Sequence, residues 1–264
     1  MISSRARAWL YPLTTVIMLL AVWELAARLG WFPRYLLPSV SGVLARTAQL
    51  HTLVMRELMV TLGETLLGFG LSVVVGVPLG FALVSWRPFH QAIYPLLVGS
   101  QVVPKVALAP LFLLWFGFGL IAKVLIAFLV AFFPIVINSA VGLASIEGEK
   151  LDVARAAGAS PLQLFWLARL PNALPMIFGG MKVSITLAVV GALVAEFIAA
   201  ENGIGRLLLN ANGNMDTELL FGGILALVAL GVALYLAMEA TERLLLPWHI
   251  SQRAQPGARL DGAS

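Results

Sequence analysis

Charge is so scarce in this chain that every ionisable residue within an apolar run is a candidate for chemistry. Lys105 and Lys182 lie inside hydrophobic stretches, and Glu196 lies near the end of another. An ammonium or carboxylate away from bulk water must find a counter-charge, reach back to the interface or face an aqueous path. Lys105 follows Pro104, where a helix is expected to break. Its ammonium therefore either faces a cavity and favours an anionic solute, or snorkels to the interface or pairs with an acid. Glu196 either pairs structurally with Lys182 or Lys105 or contacts a solute, and Glu64, Glu239 and Glu24 sit near the ends of runs with no role assigned. Gln101 and Asn138 are uncharged polar groups at the same depth and are candidate pathway liners. Catalytic chemistry has no such foothold. His51, His90 and His249 fall in separate segments without metal-ligand spacing, so no metal site is expected. Cysteine is absent, which excludes thiolate chemistry and disulfides. Gly179-Gly-Met-Lys182-Val-Ser184 has the wrong spacing for a phosphate-binding loop, so no cofactor is expected on this chain and any ATP must be bound elsewhere.

The elements that carry these residues are membrane helices. Hydrophobic residues make up 60% of the 264 residues and charged ones 11%, against about 25% charged in soluble domains; the mean hydropathy is +0.95. No Asp or Glu occurs in the 82 residues from 65 to 146. Leu66–Trp86, Val124–Ile146 and Leu219–Met238 are free of charge, each long enough to cross a hydrocarbon core of about 30 Å as a helix. The fold class is all-α polytopic membrane protein. Six spans are expected, at about Trp9–Leu29, Thr61–Ser85, Ala92–Phe116, Leu120–Leu143, Leu174–Ala200 and Leu219–Leu245, with Pro104 and Pro110 bending or breaking the third. The first is read as uncleaved, because no small-x-small site follows it and it carries Trp23 and Glu24. In the second, Gly68, Ser72, Gly76 and Gly80 recur every four residues and form a face that another helix can approach closely. Gly191, Ala195 and Ala199 make a shorter version.

Pro38–Arg56, between the first two spans, has Val43, Leu44, Leu50, Leu53 and Val54 at helical spacing, with Ser39 or Ser41 available as a cap. Residues 1–60 thus form a span plus an interfacial amphipathic segment, residues 61–248 a core of five spans, and residues 249–264 a polar tail. Lys and Arg bias the orientation: with the N-terminus inside, nine fall on the inner side and six on the outer, Lys123 among the outer ones. The net charge of +4 suits contact with anionic lipid, whereas the basic residues are too scattered for nucleic acid.

One polar segment, about residues 145–175, interrupts the apolar chain. Asp152 near the start of a short helix favours its dipole and is available to cap it; Ala154, Ala156 and Ala157 are small helix formers; Gly158 can end the helix in a left-handed conformation, and Ser160-Pro161 can start the next. Asp152-x-Ala154-x-x-x-Gly158, then nine residues, then Ala168-x-Leu170-Pro171 resembles the cytoplasmic "EAA" loop of binding-protein-dependent ABC importer permeases. The sequence departs from that pattern at Asp152, Val153 and Ala168. Pro110-Leu…Trp115-Phe-Gly117-Phe-Gly119…Lys123 is similar to the nitrate/sulfonate/taurine branch, which also includes importers of bicarbonate and of pyrimidine precursors. Thr61-Leu…Gly68, Phe133-Pro134, Ala195-Glu196, Gly203-Ile-Gly205 and Leu246-Pro-Trp248 extend the likeness along the chain.

The resemblance implies a type I ABC importer permease fold and a bacterial inner-membrane location with both termini cytoplasmic. It further implies two copies forming the pathway, two ATPase subunits carrying ATP-Mg and receiving the Asp152–Pro171 loops as coupling helices, and a periplasmic or lipid-anchored binding protein. The function implied is translocation of a small solute by alternating access, the solute being a sulfonate, a nitrate- or bicarbonate-like anion or a pyrimidine-type nutrient. Val103-Pro-Lys105 departs from the taurine- and sulfonate-type wording and keeps the pyrimidine open. An ion-coupled transporter or channel is the alternative, and it would need a titratable relay where the chain has none. A membrane enzyme would need clustered His, Asp or Glu at one face.

Overall fold

The apolar runs become helices, and no strand occurs among the described residues, which are 4–33, 35–199 and 201–246 of this computed structural model. The order is α1 (Ser4–Arg28), α2 (Val40–Gln49), α3 (His51–Ser85), α4 (Arg87–Val102), α5 (Lys105–Phe116), α6 (Leu120–Ala144), α7 (Gly148–Ala156) and α8 (Pro161–Leu164). A π-helical turn (Phe165–Arg169) then leads into α9 (Leu170–Ala199), followed by α10 (Ile204–Gly213) and α11 (Thr217–Leu245). Four helical runs are long and apolar enough to cross a bilayer: His51–Ser85, Leu120–Ala144, Leu162–Ile198 and Thr217–Leu245. The α4–α5 pair makes a fifth, bent by 98°. The helix α1, 25 residues long, occupies the first expected span. The tail 249–264 lies outside the described residues.

Three expectations need correction. The second span does not begin at Thr61, because α3 already runs from His51 and absorbs the last part of the expected amphipathic segment. Pro110 does not break the third span; it sits inside α5. The break falls at Val103-Pro104 alone, where both residues are extended. Pro disfavours the α conformation in the residue before it, so Val103 and Pro104 suffice. Pro110 lies only one turn and a half into its helix and removes a single internal hydrogen bond. Lys123 is not an outer loop residue but a buried member of α6.

The chain divides into two compact units: residues 1–60 with 200–229, and residues 61–199 with 230–264. In the first, α2 is capped by Ser39, whose hydroxyl accepts the Gly42 N–H at 3.1 Å. It is fixed by fully buried Val43 and by Arg46, which pairs with Asp216 at 2.7 Å. Glu24 of α1 accepts the Ser41 N–H at 3.1 Å and its hydroxyl at 2.7 Å. Trp23 donates to the Pro38 carbonyl at 3.0 Å and packs on Phe221.

The second unit is centred on α6 and α9. Small residues set the helix spacing. A Cβ on Gly68 would lie 2.5 Å from the Ala127 Cβ, one on Gly80 2.6 Å from the Ser139 Cβ, and one on Gly191 2.7 Å from the Ala127 Cα. The Ser72 hydroxyl reaches across to the Phe128 carbonyl at 3.1 Å. The four-residue stripe of α3 is therefore a packing face against α6, with Phe69, Ala131, Ile135, Ile185 and Ala188 filling the core beside it.

Candidate coupling segment and intramembrane polar residues

The polar segment is a rigid double turn joining α6 to α9. Its first helix, α7, starts at Gly148 after Glu147 with no side-chain cap bond, and the first-turn acid is Glu149. Asp152 therefore does not cap; it lies one turn further on, exposed, and pairs with Arg155 at 3.0 Å. The end follows expectation. Gly158 has φ +80°, its N–H reaches the Arg155 carbonyl at 2.9 Å, and the Ala159 N–H reaches the Ala154 carbonyl at 3.1 Å. This paired reverse bonding is a Schellman closure, and it needs a residue that tolerates the left-handed conformation. The next helix starts with a capping box: the Ser160 N–H donates to the Gln163 side chain at 2.8 Å, and the Gln163 N–H to the Ser160 hydroxyl at 3.3 Å.

The segment is braced against the membrane helices at its root. Leu170 and Phe165 pack on the cluster of Leu143, Ala173 and Ile177. The Phe165 ring stands edge-on to Phe81 at 4.6 Å. Asn172 donates to the Ser145 hydroxyl at 3.0 Å, tying the two ends of the segment together. Pro171 offers no N–H to the helical ladder. The π turn just before it, with the Leu170 N–H reaching back to Phe165, absorbs that interruption without breaking the run. Ala154 is half-buried, and Ala156, Ala157 and Gly158 are exposed.

The sequence reading passed over the apolar part of this surface. Val153, Leu162, Trp166 and Leu167 are 71%, 68%, 58% and 78% exposed on a segment whose roots are packed. Exposed apolar side chains of this size suit contact with a partner surface or with lipid. The signal was present in the run Leu162-Gln-Leu-Phe-Trp-Leu167, too apolar for a solvated loop.

The four candidate pathway residues lie on four different helices, α4, α5, α6 and α9. None is hydrogen-bonded or ion-paired to another among the described residues. Gln101 is exposed near the end of α4. Lys105 is half-buried at the first position of α5, directly after the 98° break, with no ion-pair partner among the described residues. Asn138 spends its amide on its own helix, donating to the Pro134 carbonyl at 2.8 Å, and packs against Gly180. Glu196 is fully buried and accepts the Thr61 hydroxyl at 2.6 Å. Its expected pairing with Lys182 is not formed, since Lys182 pairs with Glu242 of α11 at 2.5 Å. The charged pair that sequence reasoning missed is Glu64 of α3 with Lys123 of α6, 2.7 Å apart with side chains 1% and 8% exposed. Neither residue shows a partner in sequence, because 58 positions of apolar chain separate them.

Helices of membrane length, a broken span and a braced polar turn are the features of a polytopic membrane protein. Residues 72–248 match the family described as binding-protein-dependent transport system inner membrane component, and the chain belongs to that family. Among relatives, it is 36% identical over 92% of its length to the formylaminopyrimidine transport permease protein ThiX of Halalkalibacterium halodurans, covering 97% of that protein. It is 39% identical over 90% of its length to the riboflavin transport system permease protein RibX of Chloroflexus aurantiacus, covering 89% of that protein. The fold is similar to that of the inward-facing MetNI methionine ABC transporter, with a TM-score of 0.65 and 21% identity, covering 74% of this chain and 97% of that one. The chain is thus a multi-pass inner-membrane permease with an ABC importer fold.

Proposed function

We propose that this permease takes a small ring-bearing nutrient of the pyrimidine type from a soluble or lipid-anchored binding protein and passes it inward between two copies of the chain. Two separate ATPase subunits, holding ATP-Mg, drive the step through the α7–α8 segment. The observation that carries this reading is the construction of that segment. Apolar Val153, Leu162, Trp166 and Leu167 face outward, on two short helices and the π turn that follows them, closed by a Schellman turn and a capping box and rooted in the α6–α9 core. Force applied there is transmitted to α9 as to a lever, because neither helix end is free to unwind. The segment is cytoplasmic in this reading, which places both termini inside.

Two relatives named for transport of ring-bearing nutrients favour that substrate class over small inorganic anions. Lys105, at the break between α4 and α5, supplies N–H donors for ring nitrogens and carbonyls at membrane depth. The test is co-purification of the ATPase encoded in the source organism with wild-type permease and with Leu167→Asp. Leu167 is 78% exposed, so the substitution leaves the fold intact. Capture by the wild type and its loss in the variant support the reading, and equal capture by both contradicts it.

A further inference from the structure

A second site lies away from the coupling segment. Helix α4 has no buried residue, and it leaves a cavity of about 470 Å³ between itself, the end of α3 and the end of α6. Its walls are apolar, formed by Leu83, Val84, Ile137 and Ala140. Its α4 side carries Arg87, His90 and Tyr94, at positions one and two turns apart on one helix face. His90 stacks on Tyr94 at 4.8 Å, so both rings are held toward the same place. Arg87 makes no ion pair among the described residues. Nor can the cavity walls supply one: no carboxylate occurs anywhere from residue 65 to 146, which includes all of α4 and α6 and the last twenty-one residues of α3. The positive charge is uncompensated by the elements that build the site.

The depth of the cavity is also defined. Leu83 and Val84 lie in the last turn of α3, Ile137 and Ala140 in the last two turns of α6, and Arg87 at the first position of α4. Trp86, 61% exposed and stacked on Phe89, marks the same level, as interfacial aromatics do. A ligand there sits where the hydrocarbon meets the headgroups.

We propose that this cavity binds one anionic phospholipid. The phosphate is held by Arg87 and His90, the glycerol region lies against Tyr94, and the upper part of an acyl chain fills the apolar walls. A basic pocket between membrane helices at the headgroup level is suited to that chemistry. The lipid would fasten α4, which the protein itself packs loosely, to the ends of α3 and α6.

The test uses the full chain purified in mild detergent and equilibrated with equal amounts of dioleoylphosphatidylglycerol and dioleoylphosphatidylcholine. Retained lipid is counted by native mass spectrometry. The wild type is expected to prefer the anionic lipid by about fivefold. Arg87→Gln is expected to abolish that preference, and Ala140→Phe to reduce retention of both lipids by filling the cavity. Arg87 is exposed at a helix start, so its variant folds even if the Ala140 variant does not. Equal retention of the two lipids by the wild type, or an undiminished preference in Arg87→Gln, overturns the proposal. Displacement of the lipid by soluble glycerol phosphate at equal concentration also overturns it, by showing a site for a free anion.

Discussion

Glu64 and Lys123 form a buried ion pair between α3 and α6, so the loss of either charge alone is the costly change. Removing one partner of a buried pair leaves the second desolvated, at a cost of about 3–5 kcal/mol, whereas replacing both with apolar groups is often neutral. Lys123→Met alone is therefore expected to lower the thermal midpoint in detergent by far more than Lys123→Met combined with Glu64→Leu. Similar midpoints for both would show that the pair is not what holds α3 to α6. The pair Arg46–Asp216 in the first unit behaves differently, being partly solvated. Partial burial alone would raise the Asp216 carboxyl, but hydrogen bonds from Arg46 and the Leu219 N–H outweigh it and hold the group below the ordinary aspartate range. A depressed acid stabilises fully above its unfolded pKa, and that contribution disappears as pH falls through the lower folded value. Asp216→Asn is expected to flatten the acid side of the stability profile while losing some stability at neutral pH. Residues of this kind were the least legible in the sequence. Gly158 could be read from its neighbours, since helix closure is local. The partners of Glu64, Glu196 and Lys182 could not, since they come from distant helices.

At the level of elements, close approach between helices is decided by where a Cβ has room. A Cβ on Gly68 meets the Ala127 Cβ at 2.5 Å and the Phe128 backbone N at 3.0 Å, whereas a Cβ on Gly70, two residues on, meets nothing within 4 Å. Gly68→Ala is expected to be destabilising by about 1–3 kcal/mol through overpacking, and Gly70→Ala neutral or slightly stabilising. Thermal unfolding of the two side by side checks this, and equal effects would refute the packing assignment. Gly158→Val is a different case: there is space around it, but φ +80° is strained for a β-branched residue. It is expected to fray the end of α7 and weaken ATPase capture without lowering the thermal midpoint of the bundle. The spans and the four-residue glycine stripe were readable because both are periodic along one helix. The break at Pro104 was readable for the same local reason. The retention of Pro110 within α5, and the start of α3 at His51, depended on packing that a single segment does not report.

At the scale of the molecule, the distribution of charge explains the division of labour. Residues 65–146 contain no acid, and two of the buried acids among the described residues, Glu64 and Glu242, pair with lysines. In the proposed reading energy enters from outside the membrane, at the braced, outward-facing apolar surface of α7, α8 and the π turn. The absence of cysteine makes that claim directly measurable, because a single introduced thiol reports without background. Ala157→Cys, exposed at the closure of α7, and Asn212→Cys, exposed on α10, would each be expressed with the ATPase in membranes and treated with a short thiol cross-linker and a membrane-impermeant thiol label. The account requires Ala157→Cys to cross-link to the ATPase and to be labelled only from the cytoplasmic side, with Asn212→Cys labelled only from the opposite side and not cross-linked. Labelling of Ala157→Cys from the outer side, or cross-linking at Asn212→Cys instead, would contradict it.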